Sequence, residues 1–480
     1  MKVGLFLAIV GAGGVAAETV YVNCEGSGNN AGTEADPYTS LEKASSHELS
    51  AGDTLAFKRG STCKGVLRPK GSGTEGNPIH ITSYGDGDLP VINGQGAKGP
   101  AVSLVNQDYV KISSISVTNP AESVDSRQGI NISATDNKPH YGITVDSVTV
   151  TDVAGQTNKA TNADDFVASG GIVLGGLYND VLVTGCSVSD CGGGGIKIRP
   201  GYGQGETLGQ NIRVAQNDIK DCGGDGIIVS YAERPVIEHN VAGGLGTGKY
   251  PYTGGNFAGM WVLGSHDSTI QYNVVHDSIM SVADSQAFDC DWGNTGYCLV
   301  QYNFARDNAG GIFLNCDGCG GDGPKGPEQI VRYNIFQNDC RMSSTGDEAK
   351  LSFYNNVVYC PKKDFEIELP PQTNMTNNIF VGSGSSNNKL PTGDNISWLW
   401  NVFHNVDKPT DNGIVEDPKF SDPGTGKETL DSANGYKLKS DSPALKNGAI
   451  IPNNGGKDFF GNKVSTSEKP NRGAYNGEPV

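Results

Sequence analysis

The chain has 480 residues, a formal net charge of −17 and a sequence pI near 4.8. That balance argues against a nucleic acid or an anionic membrane surface as the partner, since both would repel an acidic protein unless a local basic patch intervened. Glycine occurs 68 times without a collagen period, and glycines scattered among short β-branched segments predict tight turns between short strands.

In chain order, residues 1–17 pair one Lys with an apolar run and small residues at Val15 and Ala17. That is the pattern of a secretory signal cleaved after Ala17, and the run is too short and glycine-rich for a membrane anchor. The expectation is a secreted, extracellular protein with no membrane association. Sequons at Asn131, Asn374 and Asn395 fit a glycoprotein. Export permits disulfides among the 11 Cys, and the odd count leaves at least one thiol over. Cys191 and Cys222 occupy matching places in two repeats and come within disulfide range there. Cys316 and Cys319, with Cys340 and Cys360 nearby, read as disulfide partners in preference to zinc ligands.

Residues 18–100 are expected to form an N-terminal cap and the first coils. Thr39-Ser-Leu-Glu42 is a capping box for a short amphipathic helix that could cover an open sheet edge. From about residue 101 to 405 a short unit recurs, as in "VLVTGCSVSDC", "IRVAQNDIKDC", "STIQYNVVHDS", "CLVQYNFARDN" and "QIVRYNIFQND". Alignment of these units stacks Cys186, Asn217, Asn240, Asn273, Asn303, Asn334, Asn356 and Asn378 in one column. Asp190, Asp221, Asp277 and Asp307 form a second column four residues on. Apolar residues alternate before each Asn, as in a half-buried strand, and a Gly-led strand follows. Three short strands per unit make one coil of a single-stranded parallel β-helix, an all-β fold. Its Asn column can hydrogen-bond up the stack. Residues 406–480 lose the repeat and are read as a C-terminal cap of the same elongated domain.

The tandem units resemble the right-handed parallel β-helix repeats of secreted polysaccharide-active proteins such as pectate lyases, polygalacturonases and β-helical xylosidases. The opening "YVNCEGSGNNAGTEADPYTSLEKA" and the closing "FFGNKVSTSEKPNRGAYNGEP" are similar to the ends of such chains. The resemblance implies the fold and a carbohydrate-active protein, and it leaves the activity open because one fold hosts many chemistries.

The Gly-led strands of the repeat place Val173, Lys197, Ile228, Trp261, Asp289 and Phe313 in one outward column. Arg199, Ser230, Leu263, Asp291 and Asn315 lie two residues further along. Asp289 and Asp291, with Cys290 turned inward between them, are then the candidate catalytic carboxyls. Their Cα atoms would lie about 6.6–7 Å apart, compatible with either geometry of glycoside hydrolysis. A Ca²⁺ site with Asp284 is the alternative reading of the same D-x-D; the hydrolase reading needs no cofactor. Trp261, Phe313, Asn315, Lys197, Arg199, Asp225, Glu233 and His266 are the candidate substrate-binding residues. The long segment 243–257 could wall the cleft. The favoured expectation is a monomeric glycoside hydrolase acting on a cell-wall polysaccharide or its oligosaccharides. The alternatives are a uronate-directed polysaccharide lyase using Lys197 or Arg199, with or without Ca²⁺, and a non-catalytic glycan-binding protein.

Overall fold

The structure is a computed structural model, and it describes residues 17–203, 205–316, 328–346 and 348–480. Residues 1–16 of the candidate signal segment and Cys319 lie outside the described residues.

Short parallel strands coil into three sheets that run the length of the chain. The first sheet begins at Thr19–Val22 and ends at Ile396–Leu399, and each member pairs in parallel with the strand one coil away. The second carries strands such as Val241–Gly243, Val274–His276 and Phe304–Arg306. The third carries Gly170–Gly175, Gly223–Ser230, Met260–Leu263, Phe288–Cys290 and Phe313–Cys316. Side chains alternate along every strand, so one set from each sheet meets inside the coil. That interior is a continuous stack from Val20 to Phe403 that includes Ile172, Ile196, Ile227, Met260 and Phe288.

The Asn column does what its spacing implies. Asn240 Nδ2 donates to Asn273 Oδ1 at 3.0 Å, Asn273 to Asn303 at 3.1 Å, and Asn303 to Asn334 at 3.0 Å. Each Oδ1 also accepts a backbone N–H from the coil before, and the ladder runs on to Asn401. Every member is buried, so each bond forms where water cannot compete. The Asp column takes the left-handed conformation, with φ of 50–55° at Asp190, Asp221, Asp277 and Asp307. A short polar side chain suits that turn.

The short helix is present over Leu41–Ser46, with Leu41 and Ala44 buried in the main core. Its N-cap is Ser40, whose Oγ accepts from Lys43 N; the expected Thr39 instead donates its hydroxyl to Asn30. Residues after 405 run back along one flank. There Phe420, Tyr436, Leu438 and Tyr475 cover Val274, Phe304, Ile335 and Val357 on the outside of the second sheet.

The cysteines bear out the disulfide reading of Cys316, Cys340 and Cys360 and depart from it at Cys191 and Cys222. Cys24–Cys63, Cys290–Cys298 and Cys340–Cys360 are disulfides, and Cys316 is also disulfide-bonded. Cys191 and Cys222 do stack on consecutive coils, but they remain buried thiols, as does Cys186. No helix among the described residues is long and apolar enough to cross a membrane. Sequon residues Asn374 and Asn395 are exposed, and Asn131 is partly exposed.

Candidate active site

On the outer face of the third sheet the register is Val173, Lys197, Ile228, Trp261, Asp289. This is the expected column, with Lys197 three coils, about 14 Å, from Asp289. One coil further on the expectation fails. Phe288 pairs with Phe313 and Asp289 with Leu314, so Phe313 and Asn315 turn toward the interior and Leu314 takes the outward place. Gly311 adopts φ 91° in the turn before this strand. A slip of one residue exchanges the two faces of a strand. Phe313 and Asn315 are thereby removed from the candidate substrate surface.

Cys290 points inward and is bonded to Cys298 on the first sheet, which fixes the strand between its two aspartates. Asp289 is only 3% exposed, and Asp291 stands partly open at the strand's end. The amide of Trp292 donates to Asp291 Oδ1 at 2.8 Å, and the Asp291 carbonyl accepts from Asn294 Nδ2. Among the described residues Asp289 Oδ1 has no hydrogen-bond partner.

Two insertions cover this face. Residues 155–169 include the short helix Ala163–Ala168, and residues 244–257 pair with them through Asn158 and Gly254. The backbone amides of Ser285 and Val282 donate to the carbonyls of Phe257 and Gly255, so the loop bearing Asp284 is attached to the same wall. The glycine run 192–195 lets the first insertion lie flat: a Cβ at Gly192 would stand 2.1 Å from the carbonyl oxygen of Gly155.

Asp284 is the residue that sequence reasoning left at the margin. It is partly buried and shares Lys159 and Asp225 as charged neighbours with Asp289 and Asp291. Its proximity arises from a loop folding back on the strand, and no repeat register encodes that. Desolvation first, and then the neighbouring carboxylates, push Asp289 well above the usual carboxylate range. Burial pushes Asp291 up to about 7 against the opposing Trp292 amide and Lys159 charge. Burial also raises Asp284, opposed by Lys159 and Arg341.

The remaining candidates sort by place. Trp261 is 8% exposed, and its Nε1 donates to Asp225 Oδ1 at 3.0 Å. Asp225 and Lys197 are each 1% exposed and form an ion pair at 3.6 Å. Neither is solvated, contrary to the outward-facing substrate contacts expected of them. Glu233 and His266 are paired neighbours on the first sheet, beyond the corner that follows Leu263. His266 bonds Thr295 Oγ1 and faces Asp267, and Glu233 faces Arg234. Arg199 lies over the Tyr231 ring at 5.7 Å. Among the described residues no three His, Cys, Asp or Glu side chains are grouped so as to hold a metal ion.

Residues 91–278 match the family model described as a right handed beta helix region. The chain folds as a right-handed parallel β-helix. A curated relative, a lacto-N-biosidase of Bifidobacterium longum, is 27% identical over 475 residues that take in 76% of this chain. The match spans 29% of that relative's length. Among solved structures, the GH136 lacto-N-biosidase from Eubacterium ramulus superposes with a TM-score of 0.61 at 23% identity. That superposition covers 75% of this chain and 68% of that one. XylC in complex with xylose gives a TM-score of 0.53 at 12% identity, over 95% of this chain and 98% of that one. Both structural likenesses speak for the fold.

Proposed function

We propose that the chain is a glycoside hydrolase acting on a neutral oligosaccharide at the carboxyl cluster of the third face. The observation that carries this reading is the enclosed strand of Asp289 beside Trp261, with Asp291 at its partly open end and the loop bearing Asp284 tied to the same wall through Ser285 and Val282; burial there raises the proton affinity of all three carboxyls. Glycoside hydrolysis needs one carboxyl that is protonated at working pH and a second that is ionised. Asp291, near 7, is the group able to give a proton at neutral pH. Asp289 is almost closed to solvent, whereas Asp284 is partly open. Asp284 is therefore the better second carboxyl at the sugar, while burial keeps both Asp289 and Asp291 inclined to hold their protons, with the Asp284 and Asp225 charges adding to the rise at Asp291. The likeness to a lacto-N-biosidase supports a glycosidase. The disulfides fit an extracellular site of action.

The lyase alternative has less support. Lys197 is enclosed and donates its Nζ proton to the Phe166 carbonyl at 2.8 Å, so it does not face a polymer. A uronate would also approach four carboxyl groups: Asp225, Asp284, Asp289 and Asp291.

The test is a panel of neutral and uronate-containing glycans, read for new reducing ends and for ultraviolet-absorbing unsaturated ends. Reducing ends from neutral glycans, lost by about 10²–10⁴-fold in Asp291→Asn and in Asp284→Asn, are expected. Unsaturated ends would sink the hydrolase reading. Saturable binding with neither product would leave a glycan-binding protein.

A further inference from the structure

A buried polar chain connects the covering insertion to the carboxyl cluster. Lys197 Nζ donates to the Phe166 carbonyl of the short helix at 2.8 Å and stands 4.3 Å from the centroid of the Phe166 ring. The same ammonium lies 3.6 Å from Asp225 Oδ2. The other carboxylate oxygen, Asp225 Oδ1, accepts from Trp261 Nε1 at 3.0 Å and from the Ala258 amide at 3.2 Å. Trp261 is the register neighbour of Asp289. Lys159, from the same insertion as Phe166, closes the loop: its Nζ lies 5.7 Å over the Trp261 ring and 5.9 Å over the Phe166 ring.

Two fully buried charges are expensive to hold unless their remaining hydrogen-bonding positions are used. Here both oxygens of Asp225 are engaged, and Lys197 has a carbonyl, a carboxylate and an aromatic face. A pair replaced by apolar residues of equal volume would serve packing as well or better. Packing alone therefore does not account for a buried pair at this place.

We propose that Lys197 and Asp225 are positioning residues. Their ion pair clamps the 155–169 insertion onto the face and fixes the Trp261 indole by its edge, so that the ring stands against the carboxyl cluster in one orientation. This rests on the reading of that cluster as the active site. It reassigns two groups expected to touch substrate: both act through Trp261 and Phe166. Asp225 also adds negative charge beside the cluster, alongside the mutual repulsion of Asp284, Asp289 and Asp291. Lys159 opposes it at all three carboxyls and Arg341 at Asp284, while Lys197, paired with Asp225, feels the Lys159 and Arg199 charges.

Three variants of the full chain test this, with Asp291→Asn as the reference for the site itself. Asp225→Asn removes a negative charge, so the high-pH limb of the rate profile should move to lower pH by about 1 unit, with KM raised. Trp261→Phe keeps every charge and removes the indole N–H; KM should rise about tenfold with the limb unmoved. Lys197→Met releases Phe166, and trypsin should then cut after Lys159 at least several-fold faster than in the parent. Asp225→Asn with the parental limb and KM, or Lys197→Met with parental cleavage at Lys159, would overturn the inference. If Asp291→Asn keeps full turnover, the site reading itself fails, and the proteolysis result still decides whether the clamp exists.

Discussion

Replacing Asp291 by Asn should stabilise the protein at neutral pH while removing its activity. The Asp291 carboxyl is raised from 3.8 to about 7 in the folded state, chiefly by burial. Between those two values the folded chain holds more of this proton than the unfolded chain does, so stability falls as the pH rises through that window. The difference is about three pH units at roughly 1.4 kcal/mol each, which sets an upper bound of about 4 kcal/mol at pH 7. Partial exposure and the coupling to Asp289 reduce it, and about 2–4 kcal/mol is expected. Asn ends this penalty, keeps an oxygen for the Trp292 amide and relieves part of the repulsion on Asp289. The assay is thermal melting of parent and variant at about pH 7 and again near pH 5, where less than half of the penalty remains. The variant should melt higher at neutral pH, and the gap should narrow by about half at the lower pH. A variant that melts no higher than its parent at pH 7 would refute the claim that this carboxyl is held in a desolvated place. Such an opposition of stability and activity is expected where a site holds like charges together.

The Asn ladder offers a second check. Asn273→Ala removes the bonds to Ile237 O, Asn303 Oδ1, Asn240 N and Asn240 Nδ2. With buried partners left unsatisfied, a loss of about 3–5 kcal/mol in denaturant unfolding is expected, against well under 1 kcal/mol for an exposed Asn such as Asn374→Ala. The thiols of Cys186, Cys191 and Cys222 are buried, and burial also holds Cys186 up to about 11. A thiol reagent should label none of them in the native protein and all three after unfolding without reductant. A chelator should leave glycan cleavage unchanged within error; loss of activity restored by Ca²⁺ would favour the metal-site reading of the D-x-D.

The repeat made the coil legible in the sequence, because a β-helix is built from local, periodic decisions. The apolar alternation, the Asn column and the left-handed Asp turns each recur coil after coil, and a stack needs nothing beyond nearest neighbours to assemble. The same periodicity placed Asp289 next to Trp261 and turned Cys290 inward. It failed at Phe313 and Asn315, where the strand pairs one residue later than the repeat implies. What only the tertiary structure decided lies in the non-repeating insertions. The segments 155–169 and 244–257 fold over the face. They turn an apparently solvated column into a buried one, convert Lys197 and Asp225 from surface charges into an enclosed pair, and frame the place where Asp284 meets the D-x-D. A strand's own sequence determines which way its side chains point, but not what comes to rest on top of them. Burial by distant segments is what raises a carboxyl's proton affinity, so the chemistry of this face was settled by long-range packing.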